Sequence, residues 1–273
     1  MVNVLNYLIL IGVCCIKLQG KYMDERYLNL ISRVRADYKK KYRDNGTIRL
    51  TWCDTDESDN LCREINLWTY WQGWRYSERQ DKVKILLLGQ DWGNPYSTQS
   101  FKLRENIRKM NEGIDVPYLF GCHLDSKVSQ TDRNLIKLFS EIGYPNIDVI
   151  RYPDLFFCNF SLGYRTGTDT GGMTEDLLES DSEYIKELID ILKPEKIICL
   201  GESVTRAAEK LLFGSPPKYK NYNEYIDSEV VLNYQDGAYK CDVYPMFHPG
   251  FYGEKNRVGG LNQHMEDWKR IMS

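Results

Sequence analysis

The sequence predicts an α/β protein: a three-layer αβα sandwich around a four-stranded parallel sheet. Two observations predict this fold. First, four short segments have the continuous hydrophobicity that is typical of strands buried on both faces; they are residues 83–88, 154–160, 196–200 and 242–247. Second, helical patterns lie between these segments, and strands that alternate with helices are typical of a parallel sheet with helices on both faces.

The helices are predicted from apolar residues spaced three and four positions apart, which place one face of each helix on the core. A first helix is expected over 24–42, with Tyr27, Leu30, Ile31 and Val34 on its buried face. Ser180 and Glu183 form a predicted capping box before another helix, which Pro194 ends. Three further helices are predicted from Leu135, Leu138, Phe139 and Ile142, from Val204, Ala207, Ala208, Leu211 and Leu212, and from Leu261, Met265, Trp268 and Met272.

Residues 1–22 form an apolar N-terminal extension, and residues 23–273 form a single predicted domain. The apolar run 4–18 is short for a membrane span, so no membrane partner is expected. A signal-like segment is an alternative, although no Lys or Arg precedes the run and Lys17 is the first. We favour a third interpretation, in which the working chain begins at Met23 and the upstream part is a misassigned start.

The composition of the 273-residue chain is that of a globular protein, with 42% hydrophobic and 27% charged residues. A net charge of −3 gives no overall basic footprint, so nucleic-acid binding would need a local patch. The eight cysteines include no Cys-x-x-Cys pair, and only three histidines are present. We therefore expect reduced, buried thiols in a cytoplasmic protein without metal or other cofactor. A zinc or iron–sulfur site at Cys53 and Cys62 is the less favoured alternative, because their spacing is poor.

Small or polar residues stand at the end of each predicted strand or just after it: Gly89-Gln90-Asp91, Asn159, Gly201 and His248-Pro249. Because the carboxyl ends of parallel strands lie along one edge of a sheet, these groups are expected to face one crevice. No glycine-rich nucleotide motif and no Gly-x-Ser-x-Gly elbow accompanies them. This argues against a dinucleotide or nucleoside triphosphate site and against a serine hydrolase.

The order of these strand-end residues resembles the uracil-DNA glycosylase superfamily, over a stretch from Leu67 to Met272. The resemblance implies the same four-stranded fold and a DNA glycosylase that hydrolyses, without a metal, the bond between uracil or a related deaminated base and its sugar. It implies that Asp91 stabilises the positive charge that develops on the sugar in the transition state and orients the attacking water. It also implies that His248 donates a hydrogen bond to the departing base.

The resemblance further implies which residues contact the base and the DNA. The predicted base-binding residues are Gln90, Trp92 and Asn159, of which Asn159 offers the base edge both an acceptor and a donor. Phe251 and Tyr252 stand where an apolar wedge would fill the gap left by a flipped base. Arg257 is the favoured phosphate contact. A monomer is expected.

Two departures from the family pattern leave the substrate open. Trp92-Gly93 stands where the best-known branch has Pro-Tyr, whose tyrosine blocks the methyl group of thymine, and Gly250 stands where a serine would touch a phosphate. Two other classes of function are therefore kept: a non-catalytic member that binds a nucleobase or nucleic acid, and a hydrolase of another N-glycoside. A basic rim around His248 would favour DNA, and an acidic rim would favour a small substrate.

Overall fold

We describe the fold from a computed structural model of the chain. The structure describes residues 25–40, 43–44, 49–51, 82–91, 130–162, 164–165 and 175–272. The N-terminal extension 1–22, the predicted start at Met23 and the predicted base-binding residue Trp92 lie outside these ranges.

Helices and strands are numbered here in chain order within the described ranges. The helices are α1 (Glu25–Lys40), α2 (Gln130–Glu141), α3 (Glu175–Glu179), α4 (Ser182–Leu192), α5 (Glu202–Phe213), α6 (Tyr222–Asp227), α7 (Phe251–Asn256) and α8 (Gly260–Lys269), and a short 3-10 helix, Arg270–Met272, follows α8. The strands are β1 (Arg43–Asp44), β2 (Arg49–Thr51), β3 (Ile85–Gly89), β4 (Leu155–Asn159), β5 (Tyr164–Arg165), β6 (Lys196–Leu200), β7 (Leu232–Asp236) and β8 (Tyr239–Met246).

A five-stranded sheet in the order β4-β3-β6-β8-β7 forms the centre of the fold. β4, β3, β6 and β8 run parallel, and β7 pairs antiparallel with β8 at one edge. The α/β class and the four predicted strands are confirmed. The predicted four-stranded sheet is corrected to five strands, because residues 232–246 form a hairpin whose turn contains Gly237 with φ +59°. A smaller antiparallel sheet has the order β1-β2-β5.

Helices cover both faces of the five-stranded sheet. Successive residues of a strand point to opposite faces, and in β3 and β6 the apolar residues on both faces are buried by helices. On one face, apolar residues of α1, α4 and α5 share a buried cluster with Leu86, Leu88, Ile197 and Cys199. On the other face, residues of α2 and α8 share a second cluster with Ile85, Leu87, Ile198 and Leu200. The parallel strands are thus buried on both sides, as their continuous apolar sequences predict.

The predicted helices are present, with corrections at two of their ends. α1 lies within the predicted range, and its apolar face is buried. The capping box is wrong, because α4 begins after Asp181 and the Ser180 hydroxyl donates instead to the Leu177 carbonyl at 2.6 Å. Met272 lies in the 3-10 helix and is 60% exposed, so it does not extend the buried face of α8. No helix in the described ranges is long and apolar enough to cross a membrane.

Candidate active site

The carboxyl ends of the parallel strands open onto a cleft of about 360 Å³. Gly89 and Asn159 are paired at the ends of β3 and β4, and Gly201 donates its backbone N–H to the Met246 carbonyl at 2.7 Å. The strand ends therefore converge along one edge, as the sequence predicts. The lining of the cleft includes Gln90, Gly201, Glu202, Ser203, Tyr222 and His248, whereas Asp91 and Asn159 are not part of this lining.

His248 lies two residues beyond the end of β8 and lines the cleft. Its Nδ1 accepts a hydrogen bond from the Gly250 N–H at 3.0 Å. A neutral imidazole has one acceptor nitrogen and one donor nitrogen, so this bond places the proton on Nε2. Burial, with a smaller contribution from His264, lowers the pKa of His248 from 6.5 to about 4. At neutral pH, His248 is therefore an uncharged donor at the carboxyl edge of the sheet.

Three glycines enclose His248, because side chains at their positions would meet it. A Cβ on Gly250 would lie 2.9 Å from His248 Nδ1, and a Cβ on Gly253 would overlap the His248 carbonyl oxygen. Gly201 has φ +94°, a conformation that favours glycine, and its Cα faces the Cβ of His248. Gly250 thus lies against the imidazole, Gly253 against the backbone of His248, and Gly201 against its Cβ.

Asp91 lies two residues beyond the end of β3 and is partly buried. One of its carboxylate oxygens accepts a hydrogen bond from Gln90 Nε2 at 3.1 Å. The backbone on either side is fixed to the neighbouring strand segment, since Phe160 N–H donates to the Gly89 carbonyl at 2.8 Å and Ser161 N–H donates to the Gln90 carbonyl at 3.0 Å. The carboxylate therefore sits on a rigid support at the end of β3.

Asn159 lies at the end of β4, with its side chain folded across Gly89. A Cβ at position 89 would overlap Asn159 Oδ1, so only glycine leaves the amide room to lie there. No hydrogen bond joins the Asn159 amide to the described part of the chain. A partly exposed amide with unused donor and acceptor groups is suited to binding the edge of a planar polar ligand.

Phe251 and Tyr252 begin α7, directly after the turn that carries His248. They are 57% and 61% exposed, and their rings meet edge to face with centroids 5.3 Å apart. Val258, two residues beyond α7, is 72% exposed. Exposed apolar side chains grouped near a cleft mark a surface that contacts a partner more often than isolated ones do.

Arg257, the predicted phosphate contact, is buried and forms ion pairs within the protein. It is 2% exposed and pairs with both carboxylate oxygens of Asp267, each at 2.8 Å. A third contact joins it to Asp227 at 2.7 Å, and its guanidinium lies 5.7 Å from the centre of the Phe247 ring. These ion pairs raise its pKa, against the opposing effect of burial. A buried cation with two carboxylate partners holds the loop after α7 and is not placed to contact a DNA phosphate.

Asn134 and Glu254, two polar residues near the turn that carries His248, are not among the residues predicted for the site. Asn134 of α2 donates to the Pro249 carbonyl at 2.7 Å, across 115 positions of sequence. Glu254 of α7 accepts from Asn134 and from Gln130, and these two hydrogen bonds lower its pKa. The sequence shows Asn134 as a polar residue at an inward position of an amphipathic helix, but this pattern does not predict which group Asn134 contacts.

Charged residues of both signs lie in the described lining of the cleft or close to it in sequence. Glu202 lines the cleft and is exposed, and the Tyr219 hydroxyl donates to its carboxylate at 3.0 Å. Lys218 and Lys220 flank Tyr219 and are exposed, as is Lys255 on α7. Among the described lining residues, Glu202 therefore carries the formal charge, and Lys255 is next in sequence to the lining residue Asn256.

The cysteines of the described ranges are buried thiols. Cys158, Cys199 and Cys241 are unpaired, and burial raises the pKa of each. Such thiols behave as small apolar side chains in the core. Within the same ranges, no group of three or more His, Cys, Asp or Glu side chains is arranged to hold a metal ion.

The fold and the cleft define an α/β protein with a candidate site at the carboxyl edge of a mostly parallel sheet. The cleft holds the neutral donor His248 after β8, and the Asp91 carboxylate and the Asn159 amide lie outside its lining at the ends of β3 and β4, which β6 separates from β8. Comparison with models of known protein families finds no match for the chain. A search among curated proteins also finds no matching relative. The family resemblance therefore stays a prediction that rests on the residues themselves.

Proposed function

We propose that the protein is a DNA glycosylase of the uracil-DNA glycosylase superfamily, which hydrolyses the N-glycosidic bond of uracil or a related deaminated base. The observation that carries the proposal is the hydrogen bond from Gly250 N–H to His248 Nδ1, which leaves Nε2–H as the donor of a side chain that lines the cleft. A departing base gains negative charge on its carbonyl oxygens, and a fixed donor stabilises that charge as it develops. Because burial lowers the pKa of His248, this donor persists throughout the neutral range.

Asp91 is the proposed partner for the sugar. Cleavage of an N-glycosidic bond builds positive charge on the sugar, and a nearby carboxylate favours that charge and can orient the attacking water. The Gln90 amide donates to Asp91 and restricts the directions in which the carboxylate can point. The two charges of the transition state thus have separate partners, with Asp91 on the sugar side and His248 on the base side.

Asn159 is the proposed reader of the base edge, because its amide has no partner in the described chain. Its donor and acceptor can pair with adjacent polar atoms of a pyrimidine, as Gln90 can from the cleft wall. A cleft of about 360 Å³ is large enough for a single base. The exposed rings of Phe251 and Tyr252 are the proposed wedge that fills the stack when that base is flipped out.

Cleavage of defined oligonucleotides tests the proposal. Single-turnover assays use single-stranded and duplex DNA that contains uracil, hypoxanthine or mismatched thymine, with alkali treatment to reveal abasic sites. Asp91→Asn and His248→Ala should each lower the rate roughly 10²-fold or more. Asp148→Asn, in the turn that precedes β4, is the matched carboxylate control and should cleave normally. Absence of cleavage for every base, with intact DNA binding, would favour the non-catalytic alternative.

A second candidate function has support from Glu202. This exposed carboxylate lines the cleft and is oriented by the Tyr219 hydroxyl, so it would repel a phosphate that approaches this side. A carboxylate can instead accept hydrogen bonds from sugar hydroxyls, which would suit a hydrolase of free nucleosides. Release of base from nucleosides, with no cleavage of DNA, would select this function over the first.

A further inference from the structure

Asn134 links α2 to the turn that carries His248. Its side chain is 4% exposed, and Nδ2 donates to the Pro249 carbonyl and to a Glu254 carboxylate oxygen, both at 2.7 Å. Both hydrogens of the amide are therefore used. Gln130, one turn earlier on α2, donates to the same Glu254 oxygen at 2.7 Å. The two amides thus share one partner, and among the described residues Asn134 adds the bond to Pro249.

The bond to Pro249 acts on the same peptide unit that contacts the imidazole. The Pro249 carbonyl and the Gly250 N–H belong to one planar trans unit, so they point in opposite directions. The oxygen is held by Asn134, and the N–H donates to His248 Nδ1 at 3.0 Å. Because the unit is rigid, a tilt that breaks the first bond also misaligns the second.

We infer that Asn134 is a positioning residue that sets the tautomer and orientation of His248. While the peptide unit is fixed, its N–H occupies Nδ1, and the imidazole keeps its proton on Nε2. When the Asn134 amide is removed, the unit can tilt and the Nδ1–H tautomer becomes populated. That tautomer presents an acceptor to the cleft, and an acceptor repels a departing anion. The effect on rate rests on the proposed function, whereas the effect on the tautomer does not.

Histidine NMR on the full chain measures the tautomer directly. The protein is labelled with ¹⁵N-histidine, and two-bond ¹H–¹⁵N correlations distinguish Nε2–H from Nδ1–H; the spectrum of His248→Gln assigns the resonances. Wild type should show a single Nε2–H form, and Asn134→Leu, which fills the space without donors, should show a mixture. Gln130→Leu is the matched control on the same helix, and it should keep the wild-type form because the bond to Pro249 remains.

Single-turnover cleavage provides the second readout. Asn134→Leu should lower the cleavage rate about 10-fold or more, because a misplaced catalytic donor loses much of its contribution. Its DNA dissociation constant should change less than about threefold, since the residue lies behind the turn and acts through His248. A residue that serves only stability would change the melting temperature without moving the tautomer.

Asn134→Asp covers the case in which Asn134→Leu does not fold, because it preserves the shape of the side chain. An ionised carboxylate offers no donor and repels Glu254, whereas a protonated one can donate to Pro249. Beside Glu254, the pKa of the new carboxyl is expected to lie above its ordinary range. Both the Nε2–H fraction and the cleavage rate of this variant should therefore rise as pH falls from about 8 to about 6, unlike those of wild type.

The outcomes separate this inference from the proposed function. A single Nε2–H form in the Asn134 variants at every pH overturns the inference, whether or not wild type cleaves DNA. A tautomer shift in these variants, with no base cleaved by wild type, overturns the proposed function and supports the inference. A tautomer shift together with the loss of rate supports both.

Discussion

The substitution Gly253→Ala tests how tightly the backbone encloses His248. Gly253 lies within α7, and replacing a glycine by alanine in a helix ordinarily stabilises it by about 1 kcal/mol. Here, a Cβ at position 253 would overlap the His248 carbonyl oxygen and would lie 2.7 Å from the carbonyl carbon and 3.1 Å from the Cα of that residue. We therefore expect the opposite sign, a loss of stability.

The size of the loss follows from the atoms involved. They belong to the backbone, so they cannot rotate aside as the end of a side chain would, and ordinary contact begins near 3.4 Å. Either α7 or the turn at 248–250 must move by roughly 1–1.5 Å to relieve the overlap. Overpacking of this kind destabilises a protein by about 1–3 kcal/mol. For a chain of this size, the corresponding decrease in Tm is roughly 2–10 °C.

Urea unfolding measures the free energy of unfolding, and single-turnover cleavage measures activity per folded molecule. Displacement of His248 should also lower the cleavage rate by roughly 10-fold or more. Gly143→Ala is the matched control: Gly143 follows α2 at the far edge of the sheet, with φ +87° and open space around it. That variant should lose about 1–2 kcal/mol through backbone strain alone and keep its cleavage rate. Wild-type stability in Gly253→Ala would refute the enclosure of His248.

Asn159→Asp should change the ranking of cleaved bases in the oligonucleotide panel, because a donor becomes an acceptor; an unchanged ranking would remove Asn159 from base recognition. Burial lowers the pKa of His248 from 6.5 to about 4, so between these pH values the unfolded chain binds a proton that the folded chain does not. As pH falls from 6.5 to about 4, the free energy of unfolding should therefore decrease by up to roughly 3 kcal/mol. Urea titrations at several pH values should show this decrease in wild type and a smaller one in His248→Gln. Arg257→Met should destabilise by about 3–5 kcal/mol, because Asp267 stays buried without its partner. The salt dependence of its DNA binding should nevertheless match that of wild type. A decrease of about 1 in the slope of the logarithm of the binding constant against the logarithm of the salt concentration would instead support a phosphate contact for Arg257.

The strand ends could be predicted from the sequence because their signals are local. A strand buried on both faces is a short apolar run, and a site at its carboxyl end appears as a small or polar residue directly after that run. Gly89, Asn159, Gly201 and His248 all have this signature, and the structure gathers them along one edge. The hairpin of β7 also has a local sequence signal, because alternating apolar and polar residues precede an Asp-Gly turn.

The supports of the site could not be predicted, because they depend on which distant groups meet. Asn134 and Pro249 are 115 residues apart, and an amphipathic pattern gives the inward face of α2 without its partner. Arg257 had a local partner in Asp267, ten residues later, yet the chain offers many carboxylates at comparable distances. Burial decides between a phosphate contact and an internal ion pair, and burial depends on the packed fold.

Gly250 stands where the family that the sequence resembles has a serine, and the structure gives a physical reason for the glycine. Its φ of −76° and ψ of 177° are open to any residue, so the backbone conformation does not require glycine. The limited space at position 250 does require glycine, because a Cβ there would lie 2.8 Å from Thr131 Oγ1 and 2.9 Å from His248 Nδ1. A serine here would push apart α2 and the imidazole, and would disturb the bond that fixes the tautomer. Glycine at this position thus accompanies the close approach of α2 to the turn. It preserves the donor on His248, and so it provides no argument for the non-catalytic alternative.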